Sequence, residues 1–267
     1  MNFDLQKYQT AILELPNFEK LKQIPLQIWE TIPSTNQKLW QLIEQEKKLP
    51  LAVLALEQTA GRGQWGRQWL SSQGGLYLSL GIACNLDIND SFLLTLVIGW
   101  GIGTTLRNYN LPVLLKWPND LILMSKKLGG IKLETRSQKD LITQTVIGVG
   151  INWVNPVPNL GINLQSYCQK HNQLSVTSLE QLTAITISGI ISGYQHYLVV
   201  DREQLVKDYL EIFANLGQQV TLNGNKGIIT GITTEGELRV RLKSPGAATE
   251  ICLLPGQISL GYEKETK

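Results

Sequence analysis

The sequence predicts an α+β protein in which helices cover one face of a mixed, mostly antiparallel sheet and a small β-barrel follows at the C-terminal end. Three observations lead to this prediction. β-Rich runs joined by short polar turns fill residues 113–149, as expected of an antiparallel sheet. Residues 91–109 and 177–213 have the apolar spacing of helices. After Asn215, short β-rich runs alternate with Asn-Gly, Glu-Gly and Pro-Gly turns, which is typical of a small barrel.

The predicted elements begin with a helix over residues 34–43, which starts with a Ser-Thr pair suited to capping. Its apolar residues have helical spacing, and its opposite face carries Gln, Glu and Lys. Residues 51–56 form a short apolar run that indicates a buried strand, and residues 76–83 alternate as a second strand does. Between these strands, residues 58–75 contain five glycines and are therefore predicted to form a long loop.

The later elements divide into two predicted domains, a large one over residues 1–215 and a small one over 216–267. Residues 92–106 are the most apolar stretch, but they are shorter than the roughly 20 residues that span a bilayer, so we predict a buried helix. The helical stretch 177–213 is broken near residue 200. The predicted strands are 113–117, 121–124, 127–135 and 143–149 in the large domain, and 219–222, 227–233, 238–242, 250–254 and 257–260 in the small one.

The composition excludes several classes of protein. With 43% hydrophobic and 17% charged residues, the chain resembles a folded soluble protein and not a disordered one. Its 24 basic and 22 acidic residues give a net charge of +2, too little for a general affinity for nucleic acid or membrane. Three widely spaced cysteines indicate neither a disulfide framework nor a zinc site. Together with the lack of an apolar leader segment, they predict a cytoplasmic protein.

The strongest candidate for a functional site lies at residues 61–69, which read GRGQWGRQW. Three glycines let the backbone approach a ligand, two arginines offer forked donors to an anion, and two tryptophans offer flat surfaces for stacking. This combination favours the binding of an anion beside a ring. An exposed flexible loop with affinity for RNA is the alternative.

Three further segments carry candidate functional residues. Residues 116–120 (KWPND) present a cation, an amide and a carboxylate on a turn that Pro118 makes rigid; a surface turn with a local ion pair is the alternative. Residues 127–131 (KLGGI) place a lysine before a Gly-Gly pair, which alone is also typical of a solvated lysine beside a hairpin. Residues 148–152 (GVGIN) have alternate glycines that leave one face of a strand open to a ligand, unless they mark a β-bulge.

In order and spacing, these four segments match the motifs of biotin-protein ligases, GRGRxGRxW, KWPND, KxxGI and GxGIN. The resemblance extends to residues 34–36 (STN) and Gln58, and it covers the chain from about residue 27 onward. It implies the biotin-lipoate ligase fold of class II synthetases, with an SH3-like barrel as the small C-terminal domain. Because the segment before Trp29 is too short for a helix-turn-helix, the chain is similar to the monofunctional type that lacks a DNA-binding domain.

The resemblance also implies a reaction. Such ligases activate biotin with ATP to biotinyl-5′-AMP, release pyrophosphate, and then transfer biotin to one lysine of an acceptor protein. The implied acceptor is the biotin carboxyl carrier protein of acetyl-CoA carboxylase. Biotin and ATP are thus the expected substrates, with Mg²⁺ accompanying ATP. A homodimer fits the family, and binding to DNA or to a membrane is not expected.

The resemblance further divides the candidate residues into three sets. The biotin-binding set is Ser34, Thr35, Asn36, Gln58, Gly61, Arg62, Tyr77, Ser79, Lys127, Gly130, Gly148 and Gly150. The ATP-binding set is Arg62, Arg67, Trp69, Lys116, Asn119, Lys127 and Asn152. The catalytic set is Lys127, Asp120, Arg62 and Lys116. Its cations would offset the charge that builds up at the α-phosphate, and its carboxylate would orient or deprotonate the incoming amine. No residue is assigned as a metal ligand.

One departure from the family pattern concerns the glycine-rich loop. Gln64 and Trp65 stand where the commonest pattern has a basic pair, so we expect this loop to retain biotinyl-adenylate less tightly than an arginine-rich loop would. Two alternatives to a ligase stay open. One is a lipoyl or octanoyl transferase of the same fold. The other is an RNA-binding or regulatory protein without catalysis, which would bind nucleic acid with a strong dependence on salt.

Overall fold

The computed structural model describes residues 2–172, 176–244 and 247–261. Of the predicted small domain, 216–267, residues 245–246 and 262–267 therefore lie outside the described residues. The same holds for Met1 and residues 173–175 of the predicted large domain. The boundary at residue 215 falls between the last helix and the first strand of the C-terminal sheet, and its place as a domain boundary stays a prediction.

The described residues contain helices, strands and two short 3-10 turns. The helices are α1 (Leu5–Leu13), α2 (Phe18–Leu21), α3 (Thr35–Glu44), α4 (Ser91–Asn108), α5 (Leu164–Lys170), α6 (Leu179–Val199) and α7 (Arg202–Glu211). The strands are β1 (Leu26–Ile32), β2 (Leu51–Gln58), β3 (Leu76–Asp87), β4 (Leu114–Lys116), β5 (Asp120–Leu123), β6 (Lys126–Gln138), β7 (Leu141–Ile151), β8 (Gln219–Leu222), β9 (Asn225–Ile232), β10 (Leu238–Ser244) and β11 (Ala247–Leu253). The 3-10 turns are Gln64–Gly66 and Ile88–Asp90.

Seven strands form one mixed sheet in the order β1-β2-β3-β7-β6-β5-β4. Only β1 and β2 are parallel, and the other neighbours are antiparallel. This arrangement confirms the predicted mixed, mostly antiparallel sheet. The order places β6 and β7 in the middle, so the KLGGI and GVGIN segments lie on adjacent strands, with Gly130 opposite Gly150.

Helices cover both faces of this sheet, whereas the sequence predicts helices on one face. Residues 51, 53 and 55 of β2 pack with α3 around Leu39 and Leu42. Residues 52, 54 and 56 pack in the larger core that contains the buried side chains of α4 and α6. Successive side chains of a strand point to opposite faces, so the continuous apolar run in β2 reflects burial on both sides.

Sequence patterns do not predict four of the elements, α1, α2, β1 and α5. The first two are short, with nine and four residues, and a short helix gives a weak periodic signal. Their position depends on contacts with α6. The backbone N–H of Asp4 donates to Glu180 Oε1 at 2.9 Å, and Ser188 Oγ donates to Asn17 Oδ1 at 2.8 Å. The N-terminal segment therefore packs against the helical layer.

The C-terminal segment forms a four-stranded antiparallel sheet in the order β11-β10-β9-β8. The predicted fifth strand, 257–260, is wrong, because these residues do not form a strand and pair with none of the named strands. Among the described residues, the small sheet shares the core of the large sheet. Ile229, Ile232 and Leu238 belong to the same buried cluster as the large sheet. Trp117 Nε1 also donates to Gly236 O at 3.0 Å.

In the part of the chain that the structure describes, none of the helices combines the length with the apolar character that crossing a bilayer requires. The most apolar stretch of the sequence is α4, which is buried along most of its length. It packs against α6 and the sheet. Its hydrophobicity is therefore explained by core packing.

Candidate active site

A cavity of about 390 Å³ lies where the glycine-rich loop crosses the middle of the large sheet. Its walls come from the start of α3, the loop 61–69, the turn between β4 and β5, and the strands β6 and β7. A further wall comes from the chain after β11. The four sequence segments singled out above thus converge on one site, although residues 70–147 separate the first from the last.

One end of the cavity is a hydrogen-bonded group, the polar end, formed by Thr35, Asn36 and Gln58. The Thr35 backbone N–H donates to Gln58 Oε1 at 2.8 Å, and Gln58 Nε2 donates to Ser71 Oγ at 2.9 Å. Beneath them, Ser79 Oγ donates to Asn36 Oδ1 at 2.6 Å and lies 2.7 Å from Thr35 Oγ1. Buried polar groups with such partners are held in one orientation. The polar end therefore offers pre-ordered donors and acceptors.

Two glycines of β7 let side chains lie directly on the sheet. A β-carbon at Gly148 would lie 2.2 Å from Asn36 Oδ1, and one at Gly150 would lie 2.4 Å from Trp69 Nε1. Both distances are too short for a contact, so a side chain at either position would displace Asn36 or Trp69. The Trp69 indole N–H is buried without a hydrogen-bond partner. A ligand that offers a hydrogen-bond acceptor to this buried N–H would therefore be bound more tightly.

The other end of the cavity, the charged end, is formed by Lys116, Asp120 and Lys127. Lys127 Nζ pairs with Asp120 Oδ1 at 2.6 Å. Lys116 is the cross-strand partner of Asp120 and is only 6% exposed. Burial lowers the pKa of Lys116 to about 8, with Lys127 and Arg67 lowering it further and Asp120 opposing the shift. A buried cation with cationic neighbours is stabilised by an anionic ligand, so this end is suited to bind one.

The turn between β4 and β5 holds this end in place. Asn119 Nδ2 donates to Ile131 O at 2.8 Å, and the Ile131 N–H donates to Asn119 O at 2.9 Å. The two bonds tie the turn to β6. Trp69 lies between the two ends of the cavity, because it covers Gly150 and its ring centre is 5.4 Å from Lys127 Nζ.

Most of the residues that the sequence singles out line the cavity. They are Ser34, Thr35, Asn36, Gln58, Arg62, Arg67, Trp69, Lys116, Asn119, Asp120, Lys127, Gly130, Gly148 and Gly150. Arg62 reaches from the loop to Gln37 Oε1 at 3.2 Å, so its guanidinium spans the loop and α3. These residues therefore form one common site. Their position does not by itself show which ligand each residue contacts.

Four predicted site residues do not line the cavity. Ser79 lies under the polar end, as described above. Tyr77 is buried and its hydroxyl donates to Ser72 O at 2.6 Å. Asn152 is buried and its amide donates to Lys127 O at 3.4 Å. Gly61 packs so closely that a β-carbon would lie 2.4 Å from Ser71 Oγ. All four support the walls in this structure, and their assignment as ligand contacts stays a prediction.

Other lining residues were missed by sequence reasoning. They are Gly63, Gln64, Trp65, Gln68, Trp117, Pro118, Ile131, Lys132, Val149, Gly256, Ile258, Ser259 and Leu260. Those of the loop, the turn and the strands lie inside the four motifs, except Lys132, which directly follows the KLGGI segment. The last four come from the chain after β11, which no motif marks. Only the tertiary structure brings that segment to the cavity.

The charge of the cavity limits its ligands. Among the described lining residues, Arg62, Arg67, Lys116, Lys127 and Lys132 are basic and Asp120 is the only acid. Within the same described part of the chain, no cluster of three or more His, Cys, Asp or Glu side chains could hold a metal ion. The arrangement can bind a polar neutral group at the polar end and an anion at the charged end.

Comparisons with known proteins agree with this geometry. Residues 28–152 match the Biotin/lipoate A/B protein ligase family. Over 123 residues the chain is 42% identical to the "Bifunctional ligase/repressor BirA" of Escherichia coli (strain K12), covering 45% of this chain and 38% of that protein. It is 32% identical over 108 residues to the "Biotin--[acetyl-CoA-carboxylase] ligase" of Paracoccus denitrificans, covering 38% of this chain and 43% of that protein. The chain thus matches less than half the length of each of these relatives.

A solved structure extends the similarity to almost the whole chain. The "Biotin protein ligase from Aquifex aeolicus in complex with biotin and ATP" is 25% identical, with a TM-score of 0.69, over 90% of this chain and 99% of that one. The mixed sheet, its helices and the small C-terminal sheet are therefore those of biotin protein ligases. On the matched motifs and this fold, residues 28–152 belong to the Biotin/lipoate A/B protein ligase family.

Proposed function

We propose that this protein is a biotin-protein ligase. It activates biotin with Mg-ATP to biotinyl-5′-AMP and pyrophosphate, and it then transfers biotin to a lysine of the biotin carboxyl carrier protein of acetyl-CoA carboxylase. The names of similar proteins support this proposal, since one is a biotin--[acetyl-CoA-carboxylase] ligase and another was solved with biotin and ATP.

The observation that carries the proposal is the polarity of the cavity along its length. The polar end offers Thr35, Asn36 and Gln58 as hydrogen-bonding groups to a neutral ring such as a ureido group, which needs both donors and acceptors. The charged end offers cations to phosphate oxygens. A substrate that is polar at one end and has its carboxylate at the other would place that carboxylate near Lys127.

In the first step, a carboxylate oxygen of biotin attacks the α-phosphorus of ATP. An O–P bond forms, the bond between the α-phosphorus and the bridging oxygen breaks, and pyrophosphate leaves with the electron pair. Lys127 and Lys116 would face the oxygens where negative charge builds up, and Arg62 and Arg67 would hold the remaining phosphates. Since Asp120 is the only acid among the described lining residues, Mg²⁺ would be held chiefly by the phosphates of its own substrate complex.

In the second step, the lysine amine of the acceptor attacks the acyl carbon of biotinyl-5′-AMP. A C–N bond forms, the C–O bond to the phosphate breaks, AMP leaves, and the amine gives up a proton. Asp120 pairs with Lys127 at 2.6 Å, so its carboxylate lies beside the lysine that would face the phosphate. It would then orient the amine and accept its proton.

Two further parts of the proposal concern the setting of the enzyme. We propose a cytoplasmic location, which the three widely spaced cysteines favour, since they indicate no disulfide framework. A homodimer formed by sheet edges is compatible with the position of β1, which stands at one edge of the large sheet. Sedimentation with and without biotin and Mg-ATP would test the dimer separately from the activity.

The proposal is tested by incubating the protein with biotin, Mg-ATP and a biotin carrier domain, and by following biotin on the carrier lysine with mass spectrometry. We expect labelling by the wild type and by Lys207→Ala, a control at an exposed position of α7. We expect Lys127→Ala to lose labelling by about 100-fold or more, as when a group that stabilises transition-state charge is removed.

Three results would contradict the proposal. The first is no labelling with biotin while lipoate or octanoate is transferred in the same assay, which would make the protein a sister enzyme of the same fold. The second is equal labelling by the wild type and Lys127→Ala. The third is binding of nucleic acid with a strong salt dependence and no acyl transfer, which would favour a binding protein.

A further inference from the structure

The tip of the glycine-rich loop has a conformation that its sequence does not favour. The Arg67 N–H donates to Gln64 O at 3.1 Å, and Trp65 (φ 52, ψ 42) and Gly66 (φ 73) both have positive φ. This is the arrangement of a type I′ turn, whose first central position favours asparagine, aspartate or glycine. A bulky residue with positive φ is a conformational outlier. Trp65 therefore needs a compensating contact.

That contact comes from the chain after β11. Gly256, in the turn that follows β11, has a φ of +97, and a β-carbon built on it would lie 3.2 Å from Trp65 Nε1 and 3.5 Å from Cε2. The Trp65 side chain thus lies against a bare stretch of backbone. Both residues line the cavity. The contact joins the loop tip to the C-terminal segment. No sequence motif indicates that these two segments meet.

Trp65 also contacts a cation of the site. The guanidinium carbon of Arg67 lies 5.8 Å from the centre of the Trp65 ring, within the range of a cation–π contact. Arg67 is close enough to Lys116 to lower its pKa, so its positive charge belongs to the charged end. The Trp65 side chain thus contacts both the backbone of Gly256 and the guanidinium of Arg67.

We propose that Trp65 is a positioning residue that holds Arg67 at the charged end of the cavity by anchoring the loop tip on Gly256. Trp65 itself does not take part in the chemistry. The identity of the bound anion as the triphosphate of ATP rests on the proposed function. Two parts of the inference do not depend on ligase activity: the charged end binds a polyphosphate, and Trp65 sets its affinity through Arg67.

The test uses the full chain and inorganic tripolyphosphate as the probe, with binding measured by isothermal titration calorimetry. Trp65→Asn replaces the ring by a residue that the turn favours, so the hairpin keeps its conformation while the anchor is lost. We expect the Kd for tripolyphosphate to rise by about tenfold, as a cation loses its pre-ordering, while the Kd for biotin changes less than about twofold. Trp65→Phe keeps a ring and should retain most of the affinity.

Two comparisons separate positioning from a general structural effect. Leu70→Asn is the matched control, since Leu70 lies in the same loop, is 60% exposed and does not line the cavity. It should leave both affinities unchanged. In the double variant Trp65→Asn/Arg67→Ala, the weakening should be no larger than in Arg67→Ala alone, because the two residues act through one contact.

The proposal is overturned by an unchanged tripolyphosphate Kd in Trp65→Asn, by an equal loss in Leu70→Asn, by additive effects in the double variant, or by a wild type that does not bind tripolyphosphate. A wild type that fails to transfer biotin but shows the expected Trp65 and Arg67 effects would remove the proposed function and leave this inference standing. Normal ligase activity with additive effects would do the reverse.

Discussion

The side-chain oxygen of Asn36 lies against Gly148, where a β-carbon would be 2.2 Å away. The same oxygen accepts the hydrogen bond from Ser79, so Asn36 cannot turn aside without breaking that buried bond. The start of α3 and the middle of β7 are thus fitted to each other at the polar end of the cavity. This relationship makes Gly148 a sensitive position.

Gly148→Ala should therefore weaken biotin binding strongly. The added methyl group displaces Asn36 and disturbs the hydrogen bonds of the polar end, and we expect the Kd for biotin to rise by about tenfold or more, equivalent to one lost buried hydrogen bond. Calorimetric titration with biotin measures this. The control is Gly99→Ala in α4, where a β-carbon would lie at an ordinary 3.4 Å from Ile131. Equal biotin affinity in the two variants would contradict the prediction.

The affinity for ATP should fall as the pH rises through 8. Burial lowers the pKa of Lys116 to about 8, so this lysine loses its charge at the charged end above that pH. We expect the KM for ATP to rise between pH 7 and 9. Lys116→Arg keeps its charge across this range, so its KM should be flat, whereas Lys207→Arg should follow the wild type. A flat wild-type profile would show that Lys116 does not face the phosphates.

The stability should change with pH in the opposite direction. The pKa of Lys116 is lowered in the folded state from 10.5 to about 8, so between these values the unfolded chain binds the proton and the folded chain does not. Stability rises with pH wherever the unfolded state binds more protons. The contribution of Lys116 to the free energy of unfolding should therefore increase from pH 8 to 10.5, and urea denaturation of the wild type and Lys116→Met would measure the difference.

A charge added at Gln64 should slow the release of the reaction intermediate. Gln64 lines the cavity, and its side-chain oxygen is buried without a hydrogen-bond partner. If the protein forms biotinyl-5′-AMP as proposed, Gln64→Arg adds a cation beside the phosphate, and we expect release to slow by about threefold to tenfold. Rapid separation of free and bound adenylate measures the rate. Gln73→Arg adds the same charge at an exposed position, and equal rates in all three proteins would refute the prediction.

The junction between the two sheets should contribute to the stability of the whole chain. Trp117 is buried, and its indole nitrogen donates to Gly236 O at 3.0 Å. Trp117→Phe leaves that carbonyl unpaired and a small space unfilled, so we expect a loss of about 1–3 kcal/mol in the free energy of unfolding. Urea denaturation measures it. Trp40→Phe is the control, because it removes a more exposed hydrogen bond from an indole to Glu134. It should lower the free energy of unfolding by less than Trp117→Phe does. An equal loss in both variants would contradict the prediction.

The local pattern of the chain predicts most of the large sheet. Strands such as 51–56 and 143–149 are recognised because burial selects β-branched and apolar residues over a short run, and both lie within observed strands. The elements that were missed have weak local signals. The helices α1 and α2 are short. Residues 257–260 are the opposite case, because their local pattern predicts a strand that the structure does not form.

By itself, the sequence determined the fold class, the family resemblance and the chemical types at the site, because motifs with glycine, arginine, lysine and tryptophan at fixed spacing carry that information locally. The tertiary structure decided which of those residues share a cavity, that Ser79, Tyr77 and Asn152 support its walls, and that the chain around Gly256 reaches the loop tip at Trp65. The physical reason is that close approach between distant segments depends on how the strands pair and pack, and no local pattern contains that information.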